Sequence, residues 1–152
     1  MTLLRMDNVL VVVEDLDAAI EFFAELGMHL EGRMTVEGEW VDRVIGIDGA
    51  RSEIATMRTP DGHGRIELDR FETPAAVRFG PERMPVNTLG IGRIMFAVDD
   101  LDDVLARLQA LGAELVDEVV RYEDSYRLCY VRGPEGVLVG LAQPLGRAAT
   151  GS

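Results

Sequence analysis

One cysteine, Cys129, is the only thiol in this chain. An internal disulfide is therefore impossible, and a reducing cytoplasm is the expected compartment. Positive charge is scarce: 15 basic residues stand against 27 acidic ones, a formal net charge of −12. Phosphate backbones need a basic face, so the composition argues against nucleic acid, and equally against anionic lipid surfaces. Long apolar runs are missing too. Val9 to Val13 ends in Glu14 and Asp15, too short for a signal segment or a membrane span. No phosphate-cradling glycine loop, nucleophile elbow or CxxC pair occurs.

The composition otherwise suits a folded domain, with 47% hydrophobic and 28% charged residues. A chain of 152 residues is long enough to bury about 70% of its unfolded surface in one core. Its most informative feature is an internal repeat. Val13-Glu14-Asp15-Leu16-Asp17 recurs as Val98-Asp99-Asp100-Leu101-Asp102, and Leu26-Gly27 recurs as Leu111-Gly112, every pair 85 positions apart. Pro60-Asp61-Gly62 is echoed by Pro134-Glu135-Gly136. A unit built twice implies a pseudo-twofold axis, with the space between the halves as the expected ligand site.

Each copy has the same order of elements. Asn8 to Val13 reads as a strand, and Leu16 to Leu26 as a helix that Asp15 or Asp17 can cap and Gly27 stops. The second copy offers a strand at Ile94–Val98 and a helix at Leu101–Leu111 stopped by Gly112. Further strands are expected at Leu30–Val36, Ser52–Arg58 and Arg65–Phe71, then at Glu114–Tyr122, Tyr126–Arg132 and Val137–Ala142. The reading is a single α+β domain, 1–152, made of two βαβββ modules at about 5–73 and 90–145, joined by a linker at about 74–89. The first module carries 11 extra residues around Gly38–Gly49, which hold Trp40 and read as a long loop of the kind that forms lids. The tail from Gly146 to Ser152 is small and polar and reads as frayed.

Alternation along the strands separates two faces. Val9, Val11 and Val13, like Ile94, Phe96 and Val98, make apolar faces suited to packing under the helices. The opposite faces mix Asn8, Leu10, Glu67, Asp69, Arg93 and Met95. Such a face either lines a ligand space with a few polar groups or is simply solvated.

These openings ("VEDLD" and "AVDDLD"), the helices ending in Leu-Gly and the closing "GPEGVLVGL" together resemble the vicinal-oxygen-chelate superfamily. That group includes glyoxalase I, extradiol dioxygenases, methylmalonyl-CoA epimerase, and fosfomycin- and bleomycin-resistance proteins. The resemblance covers roughly Arg5 to Leu145. It implies two tandem βαβββ modules forming a curved half-barrel sheet around one central groove, and it leaves the reaction open. Metal-using members of the superfamily take a His from the first strand and a Glu from the last strand of each module. Here those positions hold Asn8, Glu67, Arg93 and Gly140. Asn8 is a weak ligand, Arg93 repels a cation and Gly140 has no side chain, so the usual metal centre is expected to be absent. Arg93 is expected to pair with Glu67. Asp69, His63 and His29 are the remaining donors, although a His in a "DGHG" turn reads as a solvated loop residue.

The candidate ligand-binding residues are therefore Asn8, Trp40, Met57, Glu67, Arg93, Met95, Tyr126 and Tyr130. Trp40 and the tyrosines would stack on a ring, while Met57 and Met95 would fill gaps. Each also has an ordinary structural reading, as a core anchor, a wet tyrosine tip or a packed methionine. The first hypothesis is a small-molecule-binding protein of the glyoxalase/bleomycin-resistance type. It needs no metal or other cofactor and holds an apolar or aromatic compound, an antibiotic among the candidates. The alternative is a lyase, isomerase or dioxygenase with Glu67 as the catalytic residue and an altered metal site. Burial would have to raise the pKa of Glu67 for that, which Arg93 opposes. A third reading is a structural or regulatory dimer with a vestigial groove. The expected partner is a small molecule, with neither nucleic acid nor membrane, and the resemblance suggests a homodimer.

Overall fold

The structure is a computed structural model that describes residues 2–146. The expected frayed tail lies outside them from residue 147 onward. The chain divides into two compact units between Arg78 and Phe79, and each has one sheet.

In the first unit the elements run β1 (Val9–Val12), α1 (Leu16–Leu26), β2 (His29–Glu37), α2 (Glu39–Ile45), β3 (Arg51–Arg58) and β4 (Arg65–Thr73). The sheet order is β1-β4-β3-β2, with β1 parallel to β4 and the other pairs antiparallel. The parallel pair follows from the helical crossover, whereas the later strands turn straight back on one another. Asp15 caps α1, its Oδ1 accepting from the Ala18 amide at 3.0 Å. Gly27 ends the helix at a φ of 124°, a value that favours glycine. Ala19, Phe22, Phe23 and Leu26 bury the inner face of α1 against β2, β3 and β4. Val11, Val13, Ile66, Leu68, Ala55 and Met57 meet them from the sheet, each no more than 8% exposed.

The 11 extra residues do not form the expected loop. They fold into the short helix α2, whose Val41 is buried with Val36 and Ala50, with Ile54 packed alongside. Asp42 holds the return, accepting from the Gly49 and Ala50 amides at 2.8 and 3.0 Å. Ile54 pairs with Asp69 in register and Val36 with Ser52, so α2 sits on the sheet face away from α1. The insertion is a second small core.

The second unit repeats the plan: β5 (Ile94–Ala97), α3 (Leu101–Ala110), β6 (Glu114–Leu115), β7 (Val120–Tyr122), β8 (Tyr126–Arg132) and β9 (Leu138–Pro144). The order is β5-β9-β8-β6, with β7 also on β8. Asp100 caps α3, accepting from the Asp103 amide at 3.1 Å. The Leu101 amide donates to the Gln143 side chain at 2.8 Å. The repeated "EDLD" and "DDLD" are thus helix starts. One expected strand, Glu114–Tyr122, is in fact two. Four residues separate Leu115 from Val120, while only two separate their partners Val131 and Leu128 on β8. The surplus bends out at Val116 and Asp117.

The two Pro-x-Gly echoes are tight turns with left-handed glycines, Gly62 at φ 82° and Gly136 at φ 75°. At Gly136 the Glu82 carbonyl oxygen lies 1.8 Å from where a Cβ would sit, so only glycine fits.

Candidate functional site

In each unit the sheet face turned away from its α1 or α3 helix carries the side chains with chemistry. On the first sheet Leu10, Glu67 and Thr56 stand side by side in register. Leu10 is 44% exposed and Glu67 half-buried. Asn8, one residue before β1, donates to the Asp7 carboxylate at 3.0 Å, which holds Asp7 below the usual carboxylate range. Two positions along β4 from Glu67, Asp69 is 5% exposed beside the equally buried Ser52. Burial pushes its carboxyl pKa up. The Ser52 hydrogen bond works against that shift, and the charge of Glu67 adds to it. Its Oδ1 has no hydrogen-bond partner among the described residues.

On the second sheet the Arg93 guanidinium carbon lies over the Tyr130 ring, 5.6 Å from its centroid, within cation–π range. Tyr130 pairs with Gly140, and Gly140 with Met95, in register. The absence of a side chain at Gly140 is used: Met95 Cε lies 2.6 Å from where its Cβ would be. Tyr126, on the same face of β8, is 38% exposed opposite Pro144.

The expected residues therefore separate into groups. Arg93, Met95 and Tyr130 come together, with Tyr126 further along the same face. Asn8 and Glu67 lie on the first sheet's open face. Trp40 lies on α2 at 64% exposed, and it is Val41 that anchors the helix. Met57 is a correction. Paired with Ile66 and fully buried, it faces α1 as part of the core, because its place in the alternation puts it opposite Thr56 and Glu67. Two residues escaped the sequence reading. Ser52, the partner of Asp69, left no signal beyond its strand. Arg132 left one, since it continues the alternation of Tyr126, Leu128 and Tyr130.

The four positions that hold metal in relatives do not fit a metal here. Glu67 is the one acidic donor. Arg93 is a cation against a ring, Asn8 is turned to Asp7, and Gly140 offers no side chain. His29 and His63 are both exposed. No group of three or more His, Cys, Asp or Glu suited to a metal occurs among the described residues. A cleft of about 370 Å³ beside the start of α1 is lined by Glu14, Asp17, Glu53, Arg33 and Arg70 among others. Arg33 is held there by Asp17 at 2.7 Å and Glu53 at 2.9 Å, an open ion network unsuited to an apolar guest.

Two sheets, each a βαβββ unit with its helix on one face, define an α+β protein of repeated modules. Residues 5–141 match the family described as Glyoxalase/Bleomycin resistance protein/Dioxygenase superfamily, and the chain belongs to it. It is 59% identical to a glyoxalase family protein from Bacillus cereus, with a TM-score of 0.91 and coverage of 96% of this chain and 97% of that one. A glyoxylase/bleomycin resistance protein/dioxygenase domain from a Frankia species shares the fold at 17% identity, with a TM-score of 0.65 and coverage of 94% and 93%. So does TnmS3, an antibiotic-binding protein from a Streptomyces species, at 21% identity, with a TM-score of 0.58 and coverage of 95% and 98%. No curated protein matches. No helix among the described residues is long and apolar enough to cross a membrane.

Proposed function

We propose that this protein binds a small apolar or aromatic molecule and does so without a metal. The observation that carries the reading is the surface made by Arg93, Tyr130, Met95 and Gly140. Where metal-using relatives place a histidine and a glutamate, this chain has a cation stacked on a phenol and a methionine laid over a glycine. That surface offers a flat, polarisable platform for a ring and nothing for a cation. TnmS3, an antibiotic-binding protein, shares this fold, and binding needs affinity alone. The protein acts as a cytoplasmic homodimer in this reading, which light scattering tests directly.

A second reading draws on Glu67 and Asp69. Two carboxyls on alternate positions of one strand face, the inner one pushed up by burial, are the pattern of an acid–base pair. It would make the protein a lyase, isomerase or dioxygenase acting through Glu67.

The test is elemental analysis after incubation with Zn²⁺, Fe²⁺, Mn²⁺ and Ni²⁺ and desalting, run beside a thermal-shift screen of aromatic compounds. Binding predicts no stoichiometric metal and a set of stabilising compounds whose effect survives Glu67→Gln. A stoichiometric metal that Glu67→Ala removes would overturn the first reading.

A further inference from the structure

Every one of the 15 basic residues is an arginine. Twelve of them lie within 4.0 Å of a carboxylate. In a chain of net charge −12 this is what surface electrostatics predicts, since any exposed cation finds an acid nearby. Among the described residues two arginines have no such partner, Arg93 and Arg132, and both belong to the same sheet face.

The register brings them together. Arg132 pairs with Leu138 across β8 and β9, and Arg93 is the residue just before Ile94, which pairs with Val139. The two arginines thus flank Leu138 from opposite sides, roughly two strand spacings or ~10 Å apart at the backbone. Arg93 then reaches across β9 to lie over Tyr130, which sits two residues from Arg132 on the same strand face. Arg132 Nη1 is buried and has no hydrogen-bond partner among the described residues. Glu114, opposite Arg132 in the β6–β8 register, gives its carboxylate to Arg83 instead. Two guanidinium groups on one sheet face, neither with a carboxylate within 4.0 Å among the described residues, repel each other, and a buried donor left unmade is costly. Both costs vanish when an oxyanion sits between the forks, the geometry guanidinium groups match best.

We propose that Arg93, Tyr130 and Arg132 form an oxyanion subsite, so the bound compound carries a carboxylate or phosphoryl group on a flat apolar body. This rests on the small-molecule reading above and narrows it to acids. Arg93 and Arg132 hold the charged group, while Tyr130 and Met95 take the ring.

Isothermal titration with 2-naphthoate, 2-naphthyl phosphate and the neutral 2-naphthamide tests it. One of the acids should bind at least about tenfold more tightly than the amide, and which acid wins identifies the group. Arg132→Gln and Arg93→Gln should each erase most of the preference for the acid over the amide. Arg132→Lys should restore part of it, and Arg43→Gln, a change of equal charge on α2 of the first unit, should leave it intact. Side-chain Nε resonances of the wild-type protein should shift on adding the acid, a readout independent of any variant. Equal binding of acids and amide overturns the subsite but leaves the small-molecule reading standing. Failure of all three probes to bind overturns both.

Discussion

Replacing Asp69 by Asn tests how the first sheet treats a buried charge. The side chain is 5% exposed, Oδ1 has no partner among the described residues, and Glu67 adds a second negative charge on the same face. Its carboxyl is pushed above the ordinary value of 3.8, so the folded protein holds that proton more tightly than the unfolded chain does. The stability this contributes is complete below 3.8 and is lost as pH rises through the higher folded value. Wherever the group is ionised, it is therefore a net cost to the fold. Asn keeps the shape and an acceptor for Ser52 but carries no charge. Asn leaves an unpartnered polar atom in the same place, so only the charge is removed, which should return about 1–2 kcal/mol at pH 7, the size of a typical single-site effect. For a chain of this size that is a melting-temperature rise of roughly 2–8 °C. Thermal melts of wild type and Asp69→Asn at pH 7, 5.5 and 4 would show the gap closing as Asp69 takes up its proton. A variant that melts lower at pH 7, or a gap that does not change with pH, refutes the reasoning.

Two further substitutions probe packing. Met57→Ala should destabilise by about 2–5 kcal/mol, the range for emptying a fully buried methionine site, and denaturant unfolding reads it directly. A loss below about 1 kcal/mol would mean that Met57 is less confined than its burial implies. Gly136→Ala should cost about 2 kcal/mol or more, because a strained φ and the Glu82 carbonyl act together. Gly62→Ala has the strain but open space around it and should cost only about 1 kcal/mol. Equal losses in the two glycine variants would remove the Glu82 contact from the account.

The repeat, the two helices and their caps follow from local chemistry. Asp15 and Asp100 cap because an aspartate before an amphipathic run can take up an orphan amide, and Gly27 stops α1 because its left-handed φ strains a side chain. These are interactions within a few residues, so a linear pattern contains them. Period-two alternation likewise exposed the buried faces of β1, β4, β5 and β9 and the mixed faces opposite them. Which donor types stand at Asn8, Arg93 and Gly140 is likewise readable, since a residue's donor chemistry does not depend on its fold.

Tertiary structure decided the rest. Met57 has the composition of a ligand-lining residue, and only its pairing with Ile66 turns it to the core. The insertion around Trp40 became a helix because Val41 found Val36, Ile54 and Ala50, residues that come together only once β2 and β3 pair. The split of Glu114–Tyr122 depends on how many residues of β8 lie opposite it. Arg93 meets Tyr130 across a strand more than forty positions from one and eight from the other. Local sequence sets which backbone shape each segment prefers and which side chains share a face. Which faces meet, and which charges are left without a partner, depends on register between distant strands.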